Sequence, residues 1–437
     1  MLPPAFDVSR ALDEGRWSPY QKLLVGLTAL TVIFDGIDNQ LLGIAIPAFM
    51  HEWGAARGAF APVVSLSLAG MMIGGAAAGV AGDRFGRRVM LFASMGLFGV
   101  STLGVAAVHS IRALAILRFV TGVGLGGALP NAAALSAEYV PRNRRALAIT
   151  MTIVCVPLGA SLAGLFAARA LPAIGWRGLF MVGGILPLVT AAALFRLLPE
   201  SPRYLARHPG RWGELAELLR RMGHTIDESS AFEDTMSSAS LGKVTDLFGS
   251  EFRRDTTLLW IAFFSCLLAI YLGFNWLPSV IAGAGLANLS STSVGVFNLG
   301  GVVGALAGGF LITRFGSRPT MLAMAAGGAL GSYALSRMQL DPHTSVRSLL
   351  AALAFTGGLI NALQTTLYAL AGYVYPTRIR ATGVGAATSV GRTGAVLSGY
   401  AGPWALAYNG SSSFFVLMGT AVTVTLLALA GVRRHVE

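Results

Sequence analysis

Four charged residues lie inside long apolar runs of this sequence and away from the ends of those runs: Asp35, Asp38, Arg118 and Arg392. A charged side chain in hydrocarbon is energetically costly, so the charges found there usually serve ions, protons or substrates. A carboxyl group can take up and release a proton. A guanidinium stays charged and fits a carboxylate with two parallel hydrogen bonds. These residue types therefore indicate proton transfer and anion binding within a membrane.

The two aspartates belong to the stretch Phe34-Asp-Gly-Ile-Asp-Asn-Gln40, near the middle of the apolar run 23–49. Residues three apart on a helix project within about 60° of each other, so both carboxyl groups should share one face. Loss of water and mutual repulsion favour protonation of at least one of them. We expect Asp35 and Asp38 to couple transport to protons. The alternative is that they accept hydrogen bonds from a substrate hydroxyl or from Arg118.

The two arginines lie in different halves of the chain. Arg392 lies near the middle of its apolar run, and the second half has no acid at that depth. This absence favours an anionic ligand for Arg392. The alternative is that Arg392 forms a permanent ion pair with an acid on a neighbouring helix. Arg118 lies about five residues into its run, so it could also be an interfacial arginine whose head group reaches water.

The composition is that of a membrane protein. Hydrophobic residues make up 54% of the chain and charged residues only 12%, whereas a soluble domain has roughly 25% charged residues. The mean hydropathy is +0.66. The cysteines, Cys155 and Cys266, have no metal or redox spacing, and the six histidines are scattered. We therefore expect that the protein is not an enzyme and binds no metal or organic cofactor. The expected coupling ion is the proton.

Twelve apolar segments are long enough to cross a bilayer at about 1.5 Å per residue. We number them spans 1 to 12: 23–49, 59–81, 89–109, 113–139, 146–170, 176–198, 256–282, 290–313, 319–338, 346–373, 380–404 and 412–432. The predicted fold is an all-α membrane protein with two pseudo-symmetric six-helix bundles. The predicted domains are a tail (1–22), a first bundle (23–198), a connecting loop (199–255), a second bundle (256–432) and a short tail (433–437). Within the loop, residues 213–222 have the pattern of an amphipathic surface helix, and we expect residues 223–245 to be partly mobile.

The distribution of basic residues predicts the orientation. With a cytoplasmic N-terminus, six of the 32 Lys and Arg residues face outside and two lie within spans, which leaves 24 on the cytoplasmic side. This excess is the bias of the positive-inside rule, so both termini should be cytoplasmic. The net charge of +12 thus reflects topology, and we expect no nucleic-acid partner.

The two halves contain related segments at equivalent places. Span 2 is followed by Arg84-Phe-Gly-Arg-Arg88, and span 8 by Arg314-Phe-Gly-Ser-Arg318. Two such parallel repeats are expected to enclose a central site. The residue before each segment differs, since Asp83 in the first copy corresponds to Thr313 in the second. A charged contact should therefore be stronger in the first half.

These motifs resemble the major facilitator superfamily. Its signature between helices 2 and 3 is matched by residues 79–88, and a second signature is resembled by residues 118–124 of span 4. Finer matches resemble the aromatic acid:proton symporter family. They are Asp-Gly-x-Asp at 35–38, Leu-Pro-Asn-Ala at 129–132, Glu-Tyr-Val-Pro at 138–141, Pro-Glu-Ser-Pro-Arg-Tyr-Leu at 199–205, Asn-Ala-Leu-Gln at 361–364, residues 375–383 and residues 391–395. The resemblance implies the twelve-helix fold and the uptake of an aromatic acid with a proton.

The resemblance also implies roles for individual residues. Arg118 is expected to take part in proton coupling or to pair with a carboxylate. A charged cytoplasmic cluster, which we call the latch, is expected to stabilise the outward-open conformation. Its predicted members are Asp83, Arg84, Arg87, Glu138 and Arg142.

Polar and aromatic residues near Arg392 could complete a substrate pocket. Asn361, Gln364 and Tyr368 share one face of span 10, and we place Tyr271, Asn275 and Trp276 on a similar face of span 7. Asn39 is a weaker candidate. For each of these residues, interhelical packing is the alternative to ligand contact.

The predicted function is proton-driven uptake of a small organic acid, with an aromatic acid as the expected class, by alternating access. The expected location is the bacterial inner membrane, and the expected partners are the acid, protons and lipid, with a monomer as the working unit. One alternative is a proton-coupled exporter of anionic metabolites or drugs. Another is a sensor that binds organic acids without moving them.

Overall fold

A computed structural model describes residues 6–226, 231–233 and 244–435 of the chain. The first half contains β1 (Phe6–Asp7), α1 (Val8–Glu14), α2 (Pro19–Trp53), α3 (Ala61–Phe85), α4 (Arg87–Val105), α5 (Ile111–Glu138), α6 (Arg145–Leu197), α7 (Pro202–Ala206), α8 (Trp212–Met222) and β2 (Phe232–Glu233). The second half contains α9 (Arg253–Gly283), α10 (Ser290–Phe315), α11 (Ser317–Arg337), α12 (Val346–Val374) and α13 (Thr377–Gly431). Five short 3-10 turns lie between them at 57–60, 142–144, 209–211, 244–248 and 287–289.

Ten of these helices provide the twelve spans. Spans 1 to 4 are α2 to α5, and spans 7 to 10 are α9 to α12. Helix α6 contains spans 5 and 6 because its backbone leaves helical geometry at Gly175, with a φ of 64°. Helix α13 contains spans 11 and 12, with the break at Asn409 and Gly410. The predicted all-α, twelve-span fold is confirmed.

Local sequence explains where the first helices begin and end. Span 1 begins with a reciprocal cap, in which Gln21 N donates to Ser18 Oγ (3.2 Å) and Ser18 N donates to Gln21 Oε1 (2.8 Å). It ends at Gly54 in a left-handed conformation. Gly86 and Gly316 occupy equivalent turns after spans 2 and 8, both with positive φ (104° and 80°). The repeat seen in the sequence therefore has the same backbone form in both bundles.

The two bundles use corresponding pairs of helices. In the first bundle, span 1 packs on span 5 and span 2 packs on span 4. In the second bundle, the equivalent pairs are spans 7 and 11 and spans 8 and 10. Glycines allow the close approach between spans 1 and 5: an added Cβ at Gly36 would collide with the Val156 carbonyl, and one at Gly159 with the Ile33 carbonyl. Small residues at such crossings are typical of membrane helices.

The first and the last described segments of the chain lie at the same end of the bundles, which we call the basic face. Arg145, at the start of span 5, pairs with Asp13 of the N-terminal segment. The backbone N–H of Arg433 donates to Asp255 Oδ1 at the start of span 7 (2.9 Å). The other end is called the opposite face.

The bundles are in contact towards the opposite face. Gln40 Nε2 of span 1 donates to the Phe274 carbonyl of span 7 (2.7 Å), and Asn298 Nδ2 of span 8 donates to Gln40 Oε1 (3.1 Å). Ser65 Oγ of span 2 donates to the Val396 carbonyl of span 11 (2.9 Å). These bonds join the bundles at the opposite face, and the cavity between the bundles lies nearer the basic face.

The N-terminal segment packs on the basic face. Strand β1 pairs in parallel with β2 of the connecting loop, so that Phe6 lies opposite Phe232. Val8 and Leu12 of α1 are fully buried. The predicted tail thus forms a folded segment over residues 6–14. Helix α8 coincides with the amphipathic helix expected at 213–222. Most of residues 223–245, which we expected to be partly mobile, lie outside the described residues.

Candidate functional site

A cavity of about 570 Å³ lies between the two bundles, within the size range of small-molecule sites. It extends from the middle of the spans into the half nearer the basic face. Its lining comes from spans 1, 2, 4 and 5 of the first bundle and from spans 7, 10 and 11 of the second. Both bundles thus contribute to one site.

Asp35 forms part of the cavity wall. Its carboxyl group is held by Asn39 one turn further along, since Asn39 Nδ2 donates to Asp35 Oδ1 (3.0 Å) and to the Asp35 carbonyl (3.1 Å). Asp35 is almost completely buried, with 1% of its surface exposed. Asp35 therefore borders the cavity, while solvent reaches almost none of its surface.

Asp38 lies behind this wall in a different environment. Arg118 Nη1 donates to Asp38 Oδ2 (2.9 Å), and the Thr102 hydroxyl donates to Asp38 Oδ1. Arg118 also reaches Ser67 Oγ (3.5 Å), and its Nε has no partner within the described ranges. Both members of the pair are inaccessible, with side-chain exposures of 1% and 0%. Arg118 is therefore an internal ion-pair partner, and the alternative of an interfacial arginine reaching water is wrong.

Arg392 enters the cavity from span 11. Its Nη1 donates to the backbone carbonyl of Met71 on span 2, next to Gly75, which has no side chain to obstruct it. Arg392 forms no ion pair with an acid in the part of the chain that the structure describes. The structure therefore gives no support to the alternative of a permanent ion pair for Arg392.

Four further predicted residues line the cavity. Asn361, Gln364 and Tyr368 do so from one face of span 10, and Tyr271 does so from span 7. Tyr368 packs edge-on against Phe263, with 5.3 Å between the ring centroids. The predicted face of span 10 is thus present at the cavity.

Asn275 and Trp276 do not line the cavity, so the prediction that they form a pocket wall with Tyr271 is wrong. Asn275 Nδ2 donates to the Tyr271 carbonyl of its own helix (3.0 Å). Trp276 is fully buried, and its Nε1 donates to the Ser398 carbonyl (3.0 Å). Five residues along a helix correspond to a rotation of about 500°, which turns Trp276 away from the face of Tyr271.

Several lining residues were missed by the sequence reasoning. Thr388 and Ser389 lie one turn before Arg392 on the same side of span 11, a spacing of four and three residues that could have revealed them. Met71 and Met72 form part of the wall of the first bundle, and methionine in an apolar run gives no signal of its own.

The two walls differ in character. Apart from Asp35 and Asn39, the first bundle contributes mainly apolar side chains, while the second contributes most of the hydrogen-bonding groups and the guanidinium. The apolar wall is formed by Met71, Met72, Leu125, Leu129, Ile149, Ile153 and Val156. Such a site suits a small, flat, amphiphilic anion.

Comparison with known proteins agrees with this architecture. A family model described as the Major Facilitator Superfamily matches residues 28–335 and 282–437. The chain belongs to the major facilitator superfamily. A gallate transporter of Pseudomonas putida is 34% identical over 98% of this chain and 96% of its own. The 4-hydroxybenzoate transporter PcaK of Acinetobacter baylyi is 33% identical over 95% of this chain and 91% of its own.

A solved structure of the xylose transporter XylE from E. coli has the same fold. It has a TM-score of 0.75 and 18% identity, and the match covers 96% of this chain and 99% of that one. The predicted superfamily is confirmed, and the names of the relatives agree with the resemblance to aromatic acid symporters.

The charged end of the superfamily signature, residues 83–88, forms part of an ionic network at the basic face. Arg87 joins Asp83 (2.5 Å) to Glu138 (3.3 Å), and the Ser201 hydroxyl donates to the other oxygen of Glu138. Glu200 Oε1 accepts from the backbone N–H groups of Arg88 (3.0 Å) and Ser201 (2.9 Å). The network thus joins the ends of spans 2, 4 and 6.

Two predicted members of the latch lie outside this network. Arg84 is exposed and lies over the Phe85 ring, 5.3 Å from its centroid. Arg142 is exposed, and no ion pair reaches it within the described ranges. All contacts of the network lie within the first bundle and the adjoining loop. Its expected preference for the outward-open conformation stays a prediction.

No group of three or more His, Cys, Asp or Glu side chains among the described residues could hold a metal ion.

Proposed function

We propose that the chain is a proton-coupled symporter that imports a small aromatic carboxylate by alternating access. The observation that carries the proposal is that Asp35 and Arg392 line the same cavity from opposite bundles. The named substrates of the relatives, gallate and 4-hydroxybenzoate, support the aromatic class. No catalytic reaction is assigned to the chain.

The distribution of basic residues supports the bacterial inner membrane, with the basic face and both termini in the cytoplasm. We propose a monomer, because the two bundles of one chain frame the whole cavity. Lipid, protons and the organic acid are its partners.

In the proposed cycle, the opposite face opens first and admits the acid. The carboxylate of the substrate pairs with Arg392, while Asp35 takes up a proton. The aromatic ring lies against the apolar wall formed around Met71 and Met72. With both charges neutralised, the bundles rock until the basic face opens, where the higher cytoplasmic pH favours loss of the proton from Asp35.

Asp38 and Arg118 have a different part in this proposal. Their pair is closed to the cavity, and neutralising Asp35 one turn away changes the field that holds the pair together. We assign to Asp35 the role of carrying the proton. Asp38 and Arg118 would respond to the protonation of Asp35 and so link it to the movement of the bundles.

The test is accumulation of labelled 4-hydroxybenzoate in proteoliposomes under an inward proton gradient. The parent should concentrate the acid, whereas Asp35→Asn should equilibrate it without concentrating it. Asp341→Asn, at an exposed acid in a loop of the opposite face, is the matched control and should behave as the parent. If Asp35→Asn concentrates the acid as well as the parent does, the coupling role is refuted.

Direction is tested separately in right-side-out membrane vesicles. An inward proton gradient should drive uptake of the acid. Efflux in exchange for protons, without uptake, would favour an exporter, and binding without movement in either direction would favour a sensor.

A further inference from the structure

The Arg392 guanidinium is bound to a backbone carbonyl of the other bundle. Its Nη1 donates to the carbonyl of Met71, in the middle of span 2. Within a helix, a carbonyl already accepts the N–H of the residue four positions on, yet its oxygen has a second lone pair. A side chain on that later residue narrows the space through which another group can reach the second lone pair.

The residue four positions after Met71 is Gly75. A Cβ built on Gly75 would collide with Arg392 Nη1 and lie 3.2 Å from Arg392 Cζ. Glycine at position 75 thus allows the Arg392 guanidinium to approach the backbone of span 2. The group that the Cβ would strike is the end of a flexible side chain, so alanine at position 75 should displace the guanidinium. The Gly126 carbonyl of span 4 would lie 3.2 Å from the same Cβ, so spans 2 and 4 would also have to separate by a few tenths of an ångström.

The bond is the inner end of a seam between spans 2 and 11. Nearer the opposite face, Ser65 Oγ donates to the Val396 carbonyl (2.9 Å), and Gly399 packs closely on Ser65. Arg392 and Met71 continue this line of contacts down to the cavity. Opening the opposite face must part spans 2 and 11, and that separation breaks the bond between Arg392 and Met71.

We propose that the Met71 carbonyl, exposed by Gly75, takes the Arg392 guanidinium from the substrate carboxylate as the seam closes, and so promotes release of the substrate at the basic face. The release step rests on the proposed role of Arg392 as the substrate anchor. Contact of Arg392 with the carbonyl and binding of the carboxylate compete for one guanidinium. Each therefore weakens the other by the same factor within this conformation.

Gly75 is a positioning residue in this scheme, since it acts through Arg392. The chain supplies a matched control one turn further along span 2, because a Cβ on Gly79 meets no atom within 4 Å. Gly75→Ala and Gly79→Ala therefore make the same chemical change on the same helix, and only the first affects the carbonyl.

The first test is the kinetics of 4-hydroxybenzoate uptake in proteoliposomes. Gly75→Ala should lower kcat on the order of tenfold without raising KM, because a hydrogen bond to a charged group that assists release is lost. Gly79→Ala should match the parent in kcat, KM and thermal midpoint, since its Cβ meets no atom within 4 Å. A kcat within twofold of the parent, or a raised KM, would overturn the release step.

The second test needs no substrate. Spin labels are placed on cysteines at the exposed positions Ala56 and Ala287, which lie on different bundles at the opposite face, with Cys155 and Cys266 replaced by serine. Gly75→Ala should shift the distance distribution towards longer separations, since the seam has lost its inner bond. Gly79→Ala should leave the distribution unchanged.

Identical distance distributions for the parent and Gly75→Ala would show that the bond between Arg392 and the Met71 carbonyl does not hold the seam closed. A parent that moves no aromatic acid would instead refute the proposed function and, with it, the release step. The distance measurement would still decide whether Met71 holds Arg392, so the two failures are distinguishable.

Discussion

At the scale of residues, two aspartates three positions apart have separate environments. Asp35 meets the cavity beside Asn39, whereas Asp38 is enclosed with Arg118 and Thr102. One carboxyl group can thus exchange a proton with the cavity while the other stays paired.

Removing the acid of the buried pair should destabilise the protein. Asp38→Asn leaves the Arg118 guanidinium buried without a counter-charge, and we expect the free energy of unfolding to fall by about 3 kcal/mol. Thermal unfolding in detergent measures this loss. Asp35→Asn, which removes no ion pair, should unfold close to the parent.

A second substitution shows whether the loss comes from the unpaired charge. Asp38→Asn combined with Arg118→Gln removes both charges and should recover much of the lost stability. If the double variant is no more stable than Asp38→Asn alone, the ion pair is not the cause.

The sequence showed which charges lie in the membrane but not how they pair. Composition and depth were enough to single out Asp35, Asp38 and Arg392. The pairing of Asp38 with Arg118 depends on how spans 1 and 4 are rotated about their axes, which the apolar pattern does not define. The contact of Arg392 with Met71 uses a backbone atom, which no pattern of side chains reveals.

At the scale of elements, glycines determine how closely the spans of one bundle approach. Spans 1 and 5 cross where Gly36 and Gly159 each face a carbonyl of the other helix. This crossing lies next to Asp35, so the spacing of the two helices also fixes the wall of the cavity.

Adding one methyl group at this crossing should have a measurable cost. Gly36→Ala would place a Cβ against the Val156 carbonyl, and we expect stability to fall by about 2 kcal/mol because the helices must separate. Gly26→Ala is the control on the same helix, since a Cβ there meets no atom within 4 Å. Equal thermal midpoints for the two variants would contradict this account.

The elements themselves were the most predictable part of the structure. Runs of apolar residues located all twelve spans, and the repeated Arg-Phe-Gly segment located the equivalent turns at Gly86 and Gly316. The orientation of single side chains was less predictable. Trp276 has the residue type of a pocket wall, yet its helix turns it towards Ser398.

At the scale of the whole molecule, hydrogen bonds join the bundles near the opposite face, and the cavity between them lies in the half nearer the basic face. Gln40 is central to this junction, because it bonds both the Phe274 carbonyl and Asn298 of the second bundle. The conformation seen here is therefore closed at the opposite face.

Weakening that junction should favour the other conformation. Gln40→Ala removes two hydrogen bonds between bundles, so a cysteine placed at Ser279, which is buried at the opposite face, should react with a maleimide about fivefold faster. Thr425→Val is the control, because it removes a hydrogen bond to Ser265 (2.8 Å) inside one bundle. Equal rates for Gln40→Ala and the control would show that Gln40 does not hold the face closed.

The strand pair of Phe6 with Phe232 has a consequence for the order in which the protein is built. The partner of β1 is synthesised only after the sixth span, and before any part of the second bundle. Chains fold from the N-terminus while they are being made. The first bundle can thus complete its contacts at the basic face, the strand pair included, before span 7 enters the membrane.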